Sequence, residues 1–279
     1  MTSTNQKDKA LQFRSLHSGS TILVLPNAWD AASARIFEQA GFPVVATTSS
    51  GVAASLGYSD GQHISRDMVI EVTERITRSV NCPVSIDIEA GYGETVEDIL
   101  QTVKAVIDAG AVGINIEDST KQQEKSLVDV SLQVEILQAI RHLAESMDVP
   151  LVINARTDVF LLAIGDPVSR FEHTVRRANA YRQAGVDCLF PIGVSDASLI
   201  ANLVQAIHGP INILANPTTP SIPELAQLGV ARVSLASGPM RATLGYLRLI
   251  AHELLEQGTY TSMAKSGISV AELNSLFER

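Results

Sequence analysis

Asp108-Ala109-Gly110, then Val112-Gly113-Ile114-Asn115-Ile116, then Glu117-Asp118: a helix-closing phrase, an apolar run and two carboxylates follow one another directly. The phrase recurs. Gln39-Ala40-Gly41, Gln183-Ala184-Gly185 and Gln227-Leu228-Gly229 also close helical stretches. Each leads within a few residues to a β-branched run, at Val44-Val45, Val186 to Phe190 and Val230 to Leu235. Cys82-Pro83-Val84, Val149-Pro150-Leu151 and Gly209-Pro210-Ile211 open further strands with a proline at the first residue, where a missing N–H does least harm. Eight strand candidates result: 21–26, 43–47, 83–88, 112–117, 150–155, 187–190, 210–214 and 231–235. Helical runs between them imply parallel strands with crossover helices. Eight such units in 279 residues favour an α/β fold of the closed (β/α)8 TIM type over a doubly wound open sheet.

The expected organisation is a single domain over 1–279, with the barrel spanning about 20–238 and a helical extension about 239–279. The extension comprises a long apolar helix, Pro239 to Gln257, and Ser269 to Phe277, opened by the capping box Ser269-Val270-Ala271-Glu272. This pair exceeds what a barrel needs, so its apolar face is expected to pack on another subunit. Near the start, Lys9 to His17 reads as a short helix, and Asp30 as the N-cap of a helix running through Gln39.

The chain is 46% hydrophobic and 18% charged, enough for a large core. Its net charge of -9 argues against a nucleic-acid partner. No apolar run approaches the ~20 residues of a membrane span, and Met1 to Gly19 lacks an apolar signal core. Two cysteines, Cys82 and Cys188, form no metal or disulfide framework. The sequence reads as a soluble, cytoplasmic protein.

In a barrel, chemistry collects where strands end and βα loops begin. Those points carry Thr48, Ser49, Ser50 and, further along, Asp60; Asp87 and Glu89; Glu117 and Asp118; Asn154, Arg156 and Asp158; Asn216; and Ser234, Ser237 and Gly238. Asp87 and Glu89 share a face if their strand extends that far. Their repulsion would then suit a hard divalent cation; otherwise Glu89 lies in a loop facing water. Asp87 and Glu117 each end an apolar strand and read as functional, whereas Asp30, Asp118 and Asp158 read as caps or solvated turns. Gly91-Tyr92-Gly93 lacks the third glycine of a dinucleotide fingerprint, and neither a P-loop nor GxSxG occurs. Among the histidines only His63, in the loop holding Asp60, is placed to reach the mouth.

Four stretches together resemble the isocitrate lyase/phosphoenolpyruvate mutase superfamily. They are Ser50 to Asp60 (SGVAASLGYSD), Asp87 to Gly93 (DIEAGYG), Ile116-Glu117-Asp118, and Asn154-Ala155-Arg156-Thr157-Asp158. The resemblance implies a magnesium-dependent enzyme (manganese as substitute) acting on small 2-oxo or 2-hydroxy carboxylic acids through an enolate-type intermediate. It implies Asp87 as direct metal ligand, with Asp60, Glu89 and Glu117 holding the ion's waters. Thr48, Ser49 and Ser50 would bind the substrate carboxylate, Arg156 the oxo or carboxylate oxygen, and Asn216 would join the substrate pocket. A dimer or dimer of dimers, with the last helices exchanged, is implied too.

Three departures narrow the reading. Glu89 stands where the family usually has Asp. The loop after the fourth strand, Ser119 to Leu127, lacks the Lys-Lys-Cys-Gly-His of the lyases, which argues against isocitrate or methylisocitrate cleavage. It also lacks the Asn of the mutases' Lys-x-Asn-Ser. The expectation is a Mg2+-dependent C–C lyase or decarboxylase, with Lys121, Lys125 or water supplying the proton. A P–C mutase or hydrolase is the enzymatic rival, and a barrel that only binds a metabolite the non-enzymatic one.

Overall fold

The computed structural model describes residues 3–19, 21–119 and 126–278. Its first half runs α1 (Ser3–Ser15), β1 (Leu23–Leu25), β2 (Asn27–Ala28), α2 (Ala31–Gln39), β3 (Val45–Thr47), α3 (Ser49–Ser55), α4 (Arg66–Ser79), β4 (Val84–Asp87), α5 (Val96–Asp108) and β5 (Gly113–Glu117). There follow α6 (Val130–Ser146), β6 (Val152–Thr157), α7 (Ser169–Gln183), β7 (Cys188–Pro191), α8 (Ala197–Ala206), β8 (Asn212–Leu214), α9 (Ile222–Gln227) and β9 (Arg232–Ser234). Three helices complete it: α10 (Gly238–Glu256), α11 (Thr261–Ser266) and α12 (Val270–Ser275).

All eight expected strands form, and every ladder is parallel. β2 to β7 pair in chain order, while β1 pairs with β9 and β9 with β8. The two ladders meet at both sides. β1 and β2 are one extended stretch interrupted at Pro26, which has no N–H to give. Across the other seam Leu189 bridges to Ile211, its N–H donating to the Pro210 carbonyl at 2.9 Å. Strand thus neighbours strand all the way round, as a TIM-type barrel requires.

The repeated helix-closing phrase has a physical cause. Gly41, Gly110, Gly185 and Gly229 follow the C-caps of α2, α5, α7 and α9 with φ of 92, 96, 95 and 87°. A left-handed residue there lets the chain turn back toward the next strand, and glycine adopts it without a Cβ clash. The opposite ends are set by capping boxes, Asp30 with Ser33, Thr95 with Asp98, Ser221 with Glu224 and Ser269 with Glu272. Apolar stripes on α4, α5, α6 and α8 bury Ile76, Val103, Val106, Leu137, Ile140 and Leu203 in the core.

The end of the barrel where strands begin is filled by Phe13 of α1. Gly113 opens β5 without a side chain, and a Cβ there would lie 2.5 Å from the Phe13 ring. The structure adds details the sequence reading lacked. α1 starts earlier than Lys9, a short helix (α3) follows β3 at once, and α11 lies between the two expected C-terminal helices. No helix among the described residues is long and apolar enough to cross a membrane.

Candidate active site

The strand ends enclose a cavity of about 50 Å3, bordered by Asp87, Asn115, Arg156, Thr48 and Ser234.

Asp87 ends β4 and is held by neutral donors: the Ser49 N–H at the start of α3 (3.1 Å) and the Asn115 side-chain amide (3.0 Å). Asn115 is itself fixed by the Asn154 amide, 2.7 Å from its Oδ1. Register partners on β4, β5 and β6 thus link Asn154 to Asn115 to Asp87 along the inner wall of the barrel. Thr47 Oγ1 accepts the Asp87 backbone N–H at 2.9 Å, locking the strand end.

Glu89 resolves the alternative left open by the sequence. β4 stops at Asp87, so Glu89 is in the loop, yet it is buried, with φ of 48°. Its Oε1 accepts the Tyr92 hydroxyl at 2.7 Å and the Gln62 N–H at 3.1 Å. Burial and then Glu89 drive the Tyr92 phenol far above its usual pKa, with Asp87 and Asp60 adding to it. Tyr92 stays a neutral donor beside three carboxylates. Gln62, Glu89, Tyr92 and Ala236, all at this rim, have φ between 45 and 61°. Such strained backbone is tolerated where surrounding structure over-determines it.

Arg156 lies two strands along the sheet, near the end of β6. Its guanidinium grips Asp158 at two points (Nε–Oδ1 2.5 Å, Nη2–Oδ2 2.9 Å) and meets Glu117 through Nη1 at 2.8 Å. Burial pulls its pKa down, but Glu117, Asp158 and, further off, Asp87 outweigh this and hold it above the ordinary arginine value. Burial pushes the Asp158 carboxyl up against the pull of Arg156. Ser119 Oγ donates to Glu117 Oε1 at 2.9 Å.

Two expectations are corrected. Asp118 and Asp158 are not solvated turn residues but are 0% and 2% exposed. Asp118 accepts from Arg177 Nη1 (3.1 Å), Tyr181 hydroxyl (2.7 Å) and the Asp158 N–H (2.9 Å), which ties the ends of β5 and β6 to α7. Asn216 is exposed, its Oδ1 accepting from the Thr218 N–H (2.8 Å) and hydroxyl, and it does not line the cavity. His63 is exposed as well. Thr48 lines the cavity as N-cap of α3, with Ser49 and Ser50 in that helix's first turn. Lys121 and Lys125 lie outside the described residues.

The donor set fits a hard divalent cation of a particular kind. No three His, Cys, Asp or Glu side chains among the described residues converge as a ready-made metal shell. Magnesium does not need one, since it usually keeps several waters and takes one or two protein carboxylates. Asp87, whose hydrogen bonds among the described residues come from neutral donors, suits the direct role; Glu117, engaged by Arg156 and Ser119, suits an indirect one.

This geometry can be set beside known proteins. A family model described as phosphoenolpyruvate phosphomutase matches residues 13–255. The chain belongs to the phosphoenolpyruvate phosphomutase family. It is therefore an enzyme of the superfamily that joins phosphoenolpyruvate mutases with isocitrate lyases. One family relative is an uncharacterised protein of Mycobacterium tuberculosis H37Rv, 36% identical over 84% of this chain and 85% of its own length. The 2-methylisocitrate lyase of Escherichia coli K12 is 28% identical, covering 90% of this chain and 86% of that one. A crystal structure from Burkholderia cenocepacia J2315, provisionally assigned as a phosphonomutase, superposes with a TM-score of 0.84 at 40% identity, covering 88% and 99% of the two chains.

Proposed function

We propose that the chain is a Mg2+-dependent lyase that cleaves or decarboxylates a small 2-oxo or 2-hydroxy acid through an enolate-type intermediate. The observation that carries this is the placement of the Asp87 carboxylate and the Arg156 guanidinium on one small cavity. Asp87 would hold the ion, with Asp60, Glu89 and Glu117 around it. When bound, magnesium supplies Lewis-acid stabilisation of negative charge on a substrate oxygen. Arg156 keeps its proton at any working pH and offers a fixed positive charge to the enolate oxygen as it forms. Asp158 and Glu117 fix the plane of that guanidinium, so little reorganisation accompanies reaction. Thr48 and the first turn of α3 face the substrate carboxylate, and Lys121 and Lys125 remain the proposed proton sources.

A P–C bond reaction is the second reading, favoured by the 40% identity to the provisionally assigned phosphonomutase. We also propose a homo-oligomer, a dimer or dimer of dimers, joined through the last helices. Leu247 and Leu255 of α10 and Met263 of α11 are 57%, 86% and 52% exposed, an apolar surface that a second copy would cover.

The test begins with thermal-shift screening of small oxo acids and phosphonates with and without magnesium, where the substrate class stabilises only in its presence. Arg156→Gln should then lower kcat about 10²–10³-fold with the fold intact. Asp87→Ala should abolish magnesium-dependent turnover. Retention of turnover within tenfold by either variant would end the proposal, and phosphate release from phosphonopyruvate would favour the second reading.

A further inference from the structure

Arg232 opens β9 and lines the same cavity as Asp87 and Arg156, yet it has a different environment. It is 2% exposed, and its Nε and Nη1 are sealed from solvent with no hydrogen-bond acceptor. No salt bridge to it exists among the described residues, whereas Arg156 and Arg177 each have a carboxylate in contact. Its close neighbours are neutral, namely the Phe13 ring at 6.0 Å from the guanidinium carbon, the Cys188 thiol, and His17, whose imidazole that cation helps keep uncharged. The Asp87 carboxylate on the same cavity acts on it from beyond salt-bridge distance and does not offset the effect of burial, which pulls its pKa down to about 10. Its strand neighbour Asn212 contributes another sealed, unpartnered atom, Oδ1.

A buried cation with no carboxylate in contact costs several kcal/mol, and an apolar side chain of similar volume would avoid that cost. Layers inside such barrels are ordinarily filled by branched apolar residues. A guanidinium there makes physical sense when an anion completes it, and Arg232 lines the cavity through which an anion can reach it.

We propose that Arg232 binds a second anionic group, carboxylate or phosphonate, at the far end of a small dianionic substrate whose 2-oxo acid head lies between Asp87 and Arg156. This rests on the reading of the cavity as a 2-oxo or 2-hydroxy acid site. Arg156 then answers to the charge that develops during reaction, and Arg232 to one present throughout. Substrates lacking the second charge leave Arg232 unpaired and bind weakly.

The test uses inert ligands with one oxalyl head and magnesium, read by titration calorimetry on the full chain. Oxalate probes the head site alone. N-oxalylglycine adds a carboxylate arm, its glycine methyl ester presents the same arm uncharged, and the aminomethylphosphonate counterpart presents a phosphonate. Wild type should bind one of the charged arms at least tenfold tighter than the ester, the preferred arm distinguishing carboxylate from phosphonate. Arg232→Gln should erase that preference while oxalate affinity stays within twofold. Equal binding of ester and both acids by wild type overturns the proposal without recourse to any variant. So does a preference that survives Arg232→Gln, and Arg232→Met serves if the glutamine variant misfolds. Absence of magnesium-dependent oxalate binding would instead sink the underlying site reading, a separable result.

Discussion

Replacing Asp118 by Asn tests whether the polar network behind the cavity holds the strand ends together. Asp118 is fully buried and accepts three hydrogen bonds, from Arg177, Tyr181 and the Asp158 backbone. Asn keeps one carbonyl oxygen but turns an NH2 toward neighbours that themselves donate. It also leaves Arg177, 5% exposed, without its carboxylate. Breaking a buried pair by removing one partner costs about 3–5 kcal/mol. Arg177 retains the Val128 carbonyl at 2.9 Å and His173 Nε2 at 3.1 Å, which places the expected loss near the lower end, about 3 kcal/mol. At roughly 2–4 °C per kcal/mol for a chain of this size, the melting temperature should fall by about 6–12 °C. Tyr181→Phe removes the bond to Asp118, about 1.5–3 kcal/mol, and also the acceptor that Arg177 Nη1 reaches at 2.8 Å. Because both changes strip the same carboxylate, the double variant should lose at least about 1 kcal/mol less than the sum of the singles. Urea unfolding followed by circular dichroism measures all three. An Asp118→Asn variant within about 1 kcal/mol of wild type, with additive singles, would refute the network argument.

Acid should destabilise the fold through His17. Burial, then the nearby Arg232 charge, push its pKa down from 6.5 to about 4, so the native state holds neutral imidazole. That contribution is complete above pH 6.5 and is lost as pH falls through 4, on the order of 3 kcal/mol. His17→Phe should flatten this limb of a stability–pH curve, and an unchanged curve would contradict the assignment. Burial raises both Cys82 and Cys188 to about 12, so neither should react with a thiol reagent at pH 8 until the chain unfolds; rapid native labelling would disprove it. Gly113→Ala should cost about 1–3 kcal/mol through collision with Phe13, and relief of that cost by Phe13→Leu would confirm the cause.

Much of the frame was legible because it is written in local chemistry. Helix-closing glycines, strand-opening prolines and capping boxes each act within a few residues: the glycines and the Ser269 box stand where expected, the prolines lie one or two residues ahead of β4, β6 and β8, and three further boxes went unread. Asp87 and Glu117 were found because each ends an apolar run. The buried states of Asp118 and Asp158 were not legible, since their partners Arg177, Tyr181 and Arg156 come from other elements. Asn115 carried a signal that went unread: like Asn154, which the strand-end inventory did include, it precedes a site residue by two positions on the same strand face. Arg232 carried the same signal through Ser234. Its lack of a partner, by contrast, is a property of the assembled interior and has no local trace.

Asn27 joins three strands that lie far apart in the chain. Its amide donates to the Thr47 carbonyl at 2.8 Å, and its Oδ1 receives the N–H groups of Leu235 and Ala236 at 2.8 and 2.9 Å. During synthesis its last two donors emerge from the ribosome some two hundred residues after it. A nascent chain therefore carries most of the acidic residues long before the pocket that would organise them. Ligand binding should switch on abruptly only once translation has delivered Ala236, so stalled chains cut before Arg232 should bind nothing.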